Sequence, residues 1–340
     1  MAIQGMDIGI DLGTTTIIIY MHGKGIVLKE PSVVAINKKT DSVLAVGEEA
    51  YRMIGRTPEY INAERPLKDG VISNHIMTEM MIKEFLRKVC GSLMIKPRVA
   101  ICIPSAITEV EKRAVTSAAV SAGARRVYLI QEPIAAALGS GVDISLPNGQ
   151  MMVDIGGGTA DIAVISLSGV VVSQSVKMAG NHFDQAIVKY ILNQYKILIG
   201  EKMAEKIKID IGCVFDPSDD LTTVIKGRNV IKGLPEKIEI NQQELYPVLL
   251  ECAMEIVSKV KAVLDLTPPE LAGDIKTNGI ILTGGGCLIR GLDRLLAQEI
   301  GVPARIADDP VECVAIGTGK AFDYIEELQD GFENALTYKH

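Results

Sequence analysis

A chain of 340 residues, 48% apolar and 23% charged, can bury two hydrophobic cores and is not composed like a disordered protein. Its formal charge of −7 argues against nucleic acid as the main partner. Its apolar runs, such as TIIIYM and GVVVSQSV, are strand-sized and fall well short of the roughly 20 residues of a membrane span. No basic region followed by an apolar stretch opens the chain, so no secretory leader is expected. The six cysteines, Cys90, Cys102, Cys213, Cys252, Cys287 and Cys313, are scattered, several within apolar runs, which predicts reduced thiols in a cytoplasmic protein. The four histidines share no ligand spacing with them, so a zinc site is not expected.

Short apolar strands alternate with helical patterns along the chain, the signature of an α/β protein. DIGIDL alternates, with Ile8, Ile10 and Leu12 on one face and Asp7, Gly9 and Asp11 on the other. Residues 33–66 follow as short strands and turns. RVAICIP (98–104) predicts a strand closed by Pro104, and the next segment a helix with a Thr108–Glu111 capping box and a stop at Gly123. VYLIQEP is a strand ending on Glu132-Pro133, after which IAAALGSG begins a helix. The order then repeats, with strands at 151–156, 161–167 and 169–178, a helix from near Phe183, and a strand at 279–286 leading into another helix. Residues 33–66 and 182–250 read as insertions on a repeated core, and 326–340 as a polar tail.

One turn occurs twice. GIDLGTTTIIIY (9–20) and VDIGGGTADIAVI (153–165) each run from aspartate through glycine and small or hydroxyl residues into an apolar strand. Such a turn exposes backbone N–H groups and hydroxyls as an anion site, and glycine lets phosphate approach the backbone. The carboxylates of Asp11 and Asp154 repel phosphate but suit a hydrated Mg²⁺, which takes one or two protein carboxylates alongside phosphate oxygens. Either turn alone reads as an ordinary glycine-rich hairpin; two of them suggest pincers on one polyphosphate.

Three further stretches accompany them. LTGGGCLIRGL (282–292) places three glycines between strand and helix, flat enough for a purine ring, although such turns often use glycine for geometry alone. In QEPIAAALG, Pro133 suits a first helical turn and sets Glu132 at a strand end, either as a helix cap or as a carboxylate that orients and deprotonates an attacking water. In GEKMAEKIKIDIG (200–212), Glu201, Glu205 and Lys208 share one helix face, which by itself reads as a solvated surface.

The order DLGTTT, QEP, DIGGGTAD, MAGNHFD, AEKIK, TGGG resembles the actin-like ATPase superfamily. HGKGIVLKEPSVVA, RPLKDGVI, TPPELAGDI and CVAIGTGKAFD are similar to the MreB/Mbl family within it, over about residues 6–325. The resemblance implies an α/β, actin-like ATPase fold: two duplicated RNase H-like domains, each with a smaller inserted subdomain, and a nucleotide cleft between them. The implied division is 1–32 and 67–143 for subdomain IA, 33–66 for IB, 144–181 and 251–325 for IIA, and 182–250 for IIB. It implies ATP with Mg²⁺ as cofactors and hydrolysis to ADP and phosphate coupled to polymerisation. The implied partners are further copies of the chain in a head-to-tail filament, the inner face of the cytoplasmic membrane, and the cell-wall elongation proteins that set rod shape.

By position, Asp11, Gly13, Thr14, Thr15 and Thr16 would form the first phosphate turn, and Asp154, Gly156, Gly157, Gly158, Thr159 and Asp161 the second. Asp11 and Asp154 would hold Mg²⁺ through water, with Glu132 as the catalytic carboxylate and Thr159 near the terminal phosphate. Glu205 and Lys208 would flank the adenosine. Gly284, Gly285 and Gly286 would lie against the base, with Cys287 in the same loop, and Gly180 and Asp184 would close the wall. The chain departs from the family pattern at Thr15 and Thr16, where alanine and asparagine are usual, at Gln131 before Glu132, and at Asn181 after Gly180. GSLMIKPR (91–98) sets Leu93, Met94 and Ile95 beside Lys96 and Arg98, which suits either a lipid-facing loop or burial in the core. A small-molecule kinase and a chaperone-type ATPase remain alternatives on the same fold. The former would favour an extra acidic cluster and more than 4% aromatic residues, and the latter a peptide-binding region that nothing here resembles.

Overall fold

The computed structural model describes residues 6–91, 96–105, 107–217, 221–324 and 332–334. The first lobe opens with β1 (Asp7–Leu12), β2 (Thr16–Met21) and β3 (Gly25–Pro31). There follow β4 (Val34–Asn37), β5 (Ser42–Val46), α1 (Glu48–Met53), β6 (Ile61–Glu64) and the small hairpin β7 (Leu67–Lys68) and β8 (Val71–Ile72). Next come α2 (His75–Cys90), β9 (Arg98–Ile103), α3 (Glu109–Ser121), β10 (Arg126–Gln131) and α4 (Glu132–Gly139). The second lobe runs β11 (Gln150–Ile155), β12 (Ala160–Ser166), β13 (Gly169–Val176), α5 (Gly180–Tyr195), β14 (Ile197–Leu198), α6 (Glu201–Ile211), β15 (Thr222–Asn229) and β16 (Pro235–Asn241). It closes with α7 (Gln242–Asp265), α8 (Pro269–Asn278), β17 (Ile280–Thr283), a 3₁₀ turn (Gly285–Leu288), α9 (Leu292–Ile300), β18 (Ala304–Ile306) and α10 (Cys313–Lys320). The segment read as a polar tail contributes β19 (Phe332–Asn334), antiparallel to β10. An unpaired strand edge leaves backbone donors and acceptors open, and β19 closes that edge.

The two main sheets repeat one plan. In the first, β3, β2 and β1 are antiparallel neighbours, continued in parallel by β9 and β10; in the second, β13, β12 and β11 are continued by β17 and β18. Asp11 and Asp154 therefore occupy corresponding positions near the ends of equivalent strands. Each lobe has its own core, around Ile10, Phe85 and Ile101 in the first and around Val153, Phe183 and Ile256 in the second. A third cluster joins Ile130 and Ala135 to Met152, Ile165 and Cys313. There α4 and α10 approach so closely that a Cβ on Gly317 would lie 2.8 Å from the Gly139 nitrogen.

Local chemistry accounts for the helix starts that matter. The Thr108–Glu111 capping box forms at α3, with the Thr108 nitrogen donating to Glu111 Oε2 at 2.8 Å. Pro133 sits in the first turn of α4, where its missing N–H costs nothing, and Glu132 is the residue before it. The six cysteines are all free thiols.

Candidate nucleotide cleft

Two hairpin turns from opposite lobes meet across one cavity. The β1–β2 turn carries Gly13, Thr14 and Thr15, and the β11–β12 turn carries Gly156, Gly157, Gly158 and Thr159. A Cβ on Gly158 would lie 2.7 Å from Thr14 Oγ1 and 2.9 Å from the Asp69 Cα, so any side chain there would force the turns apart. The tight β7–β8 turn completes the junction, with the Gly70 nitrogen donating to Thr14 Oγ1 at 3.1 Å. From the second turn the chain leads into α5, where the Gly180 and Asn181 nitrogens donate to the Gly156 and Gly157 carbonyls at 3.1 and 2.8 Å. Thr15 Oγ1 reaches Asn181 Oδ1 at 3.4 Å.

The cavity enclosed is about 530 Å³, a size suited to a bound small molecule. Its walls include Asp11, Gly13, Thr14, Thr15, Thr16, Glu132, Asp154, Gly156, Gly157, Gly158, Thr159, Gly180, Glu205, Lys208, Gly284, Gly285 and Gly286. The motif positions Asp161, Asp184 and Cys287 stand behind the wall. Asp161, paired with Asp154 across the β11–β12 hairpin, is fully buried beside Glu132 and accepts from the Ser105 nitrogen at 3.0 Å. Asp184 is held by Lys208 at 2.9 Å, and Lys208 also donates to the Gly180 carbonyl at 2.9 Å. Cys287 is fully buried beneath the glycine loop. That loop lies against the end of β11, since a Cβ on Gly284, whose φ is 79°, would sit 2.6 Å from the Ile155 carbonyl carbon. Leu93, Met94 and Ile95 lie outside the described residues.

Carboxyl groups dominate the cavity floor. Burial pushes Asp154 up to about 7, opposed by a 2.6 Å hydrogen bond from Thr283 Oγ1 and reinforced by Asp11 and Asp161. Burial likewise brings Asp11 to about 6, opposed by the Cys102 thiol, which donates to Asp11 Oδ1 at 3.3 Å. Glu132 is driven well above the carboxylate range by burial first, then by Asp161, Asp154 and Asp11. Four acids are thus gathered with no basic side chain among the causes of their shifts, an arrangement that lacks positive charge. Among the described residues no three acidic, histidine or cysteine side chains form a direct ligand cage. A hard cation held largely through water and phosphate oxygens fits that donor set.

Wall residues that sequence reasoning missed include Gly70, Asn181, Phe183, Ile209, Leu288 and Arg290. The signal for Asn181 and Leu288 was adjacency to a glycine motif. Gly70 arrives from a separate hairpin, within the RPLKDGVI stretch that marks the family resemblance without pointing to the cleft.

The family profile described as "MreB/Mbl protein" matches residues 5–330. The chain belongs to the MreB/Mbl family. The "Cell shape-determining protein Mbl" of Bacillus subtilis (strain 168) is 52% identical over 323 residues, covering 95% of this chain and 97% of that protein. The "Cell shape-determining protein MreB" of Escherichia coli (strain K12) is 48% identical over 327 residues, 94% of each chain. Among solved structures, MreB5 of Spiroplasma citri bound to AMPPNP superposes with a TM-score of 0.90 at 40% identity, covering 95% of this chain and 98% of that one. A MamK double helical filament superposes at 0.80 with 20% identity, covering 94% and 98%, a likeness of fold alone. The fold is actin-like.

Proposed function

We propose that this chain is an ATP-dependent, filament-forming, actin-like cytoskeletal protein that binds and hydrolyses ATP, lies on the inner face of the cytoplasmic membrane and organises cell-wall synthesis for rod shape. The observation that carries the nucleotide reading is the meeting of two carboxylate-and-glycine turns across one cavity. The AMPPNP-bound and ADP-bound structures of Spiroplasma citri MreB5 support it. Backbone N–H groups of both turns, with Thr14, Thr15 and Thr159, would hold the phosphates. Asp11 and Asp154 would hold Mg²⁺, which when bound neutralises phosphate charge. The glycine loop at 284–286 would face the base, and Glu205, a carboxylate on the wall away from the acidic floor, would accept from sugar hydroxyls.

Glu132, at the first turn of α4, would orient a water toward the terminal phosphorus and take its proton as the new P–O bond forms and the bond to the leaving ADP oxygen breaks. Its raised pKa makes it a strong acceptor once ionised, and Asp161 behind it fixes its direction. Filament growth requires a heterologous contact in which two different surfaces of one copy meet without closing a ring. Among the described residues no helix is long and apolar enough to cross a membrane. Membrane association is assigned to Leu93, Met94 and Ile95 beside Lys96, apolar side chains with a basic neighbour, whereas the Arg98 guanidinium is taken up by Asp7 at 2.6 Å.

Electron microscopy of purified protein with ATP on an anionic lipid monolayer tests the whole reading. Membrane-bound filaments are expected. Filaments in solution that ignore the lipid would refute the membrane assignment, and absence of any polymer with ATP bound would refute the cytoskeletal one.

A further inference from the structure

At the mouth of the cavity the lobes touch through a side chain that the hydrolysis reading leaves unused. Tyr51, on α1 of the first lobe, donates its hydroxyl to Glu205 Oε2 on α6 of the second at 3.1 Å. Lys202, one turn before Glu205, sets its ammonium 3.6 Å from the centre of the Tyr51 ring and also donates to the Tyr51 carbonyl. The guanidinium of Arg65 stands 5.7 Å from the same ring centre. Arg65 in turn donates to the Thr15 carbonyl at 2.8 Å, inside the first phosphate turn. One line of contacts therefore runs from α6 through Tyr51 to the phosphates' end of the cleft.

We propose that Tyr51 is a positioning residue: it holds Glu205 against the sugar hydroxyls of a bound nucleotide, so that nucleotide release waits on this contact. The inference rests on the nucleotide reading of the cleft and names a residue outside every motif of that reading. A glutamate on an open helix face has several side-chain rotors to immobilise before it can meet a ligand. The Tyr51 hydroxyl fixes one carboxylate oxygen and leaves Oε1 as an acceptor. Burial and the Glu205 charge push the Tyr51 hydroxyl up to about 12, so it remains a proton donor throughout the physiological range. Two cations at its ring hold the phenol in place, as expected for the electron-rich face of an aromatic ring. Opening the lobes must break the Glu205 bond or draw the ring away from Lys202.

The test follows radiolabelled ADP retained on a filter after a chase with excess unlabelled ATP and Mg²⁺. Tyr51→Phe keeps the ring and removes the hydroxyl, and is expected to speed ADP release about threefold to tenfold, the range for losing a typical hydrogen bond formed in competition with water. Tyr51→Ala, which also loses both cation contacts, should release faster still. Because Tyr51 acts through Glu205, the Tyr51→Phe, Glu205→Ala double variant should match Glu205→Ala alone. With 2′,3′-dideoxy-ADP, which lacks the sugar hydroxyls, Tyr51→Phe should change release by less than twofold. Unaltered ADP release in Tyr51→Phe overturns the proposal, as does equal acceleration for ADP and dideoxy-ADP. A parent protein that retains no ADP at all overturns the nucleotide reading itself, a distinct failure.

Discussion

Replacing Asp154 with asparagine should stabilise the nucleotide-free protein, and more so as pH rises. Asp154 is 6% exposed, and burial holds its carboxyl at about 7 in the fold against an ordinary value of 3.8. Below pH 4 the group is protonated in both folded and unfolded chains and costs nothing. Between those values the unfolded chain ionises while the folded one keeps its proton, so stability falls with rising pH and levels off above 7. At 1.36 kcal/mol per pH unit, that difference corresponds to about 4 kcal/mol at pH 8 and under about 2 kcal/mol at pH 5. Asparagine retains an oxygen to accept from Thr283 Oγ1, so the 2.6 Å hydrogen bond survives the change. Removing the charge also relieves Asp11, one of the groups coupled to it. Urea unfolding of parent and variant in chelator, at both pH values, reads the difference. An Asp154→Asn protein less stable than its parent at pH 8, or a gain that does not grow with pH, would refute the view of the cavity floor as an uncompensated acidic cluster.

Glu132→Ala is expected to keep ATP binding and to release phosphate at least about tenfold more slowly, as one acid–base contributor is lost; unchanged turnover in a phosphate-release assay would remove Glu132 from the chemistry. Gly317→Ala drives a Cβ into the Ala135 carbonyl and to within 2.8 Å of the Gly139 nitrogen, where backbone cannot yield cheaply. It should lose about 1–3 kcal/mol in urea unfolding. Lys208→Met leaves the Asp184 carboxyl, held at about 6 by burial against the pull of Lys208, without its cation. Loss of about 2–3 kcal/mol at pH 8 is expected, shrinking as pH falls and Asp184 takes a proton, and a pH-independent loss would contradict it. Serine at Leu93, Met94 and Ile95 should abolish co-sedimentation with anionic liposomes and leave ATP binding intact.

Much of this arrangement was legible because it is local. Asp11 and Asp154 announce themselves by the same short pattern, and the sheets place them on equivalent strands. The Thr108–Glu111 box needs only its own four residues. Pattern could not say which motif side chains face the cavity. Asp161 sits opposite Asp154 in the strand register yet belongs behind Glu132, and Cys287 ends its glycine run by turning into the core. Nor could it find Tyr51, whose meeting with Glu205 brings together residues 154 positions apart on α1 and α6. The β19 strand was hidden for a related reason: a three-residue partner on a sheet edge has no periodicity of its own.

Isothermal titration of ATP into the purified protein, with Mg²⁺ and then with chelator, tests the central claim most directly. Saturable uptake of one nucleotide per chain, weakened at least about tenfold when the divalent cation is withdrawn, is the predicted result. No heat and no saturable uptake under either condition would contradict the paired-turn account of the cleft.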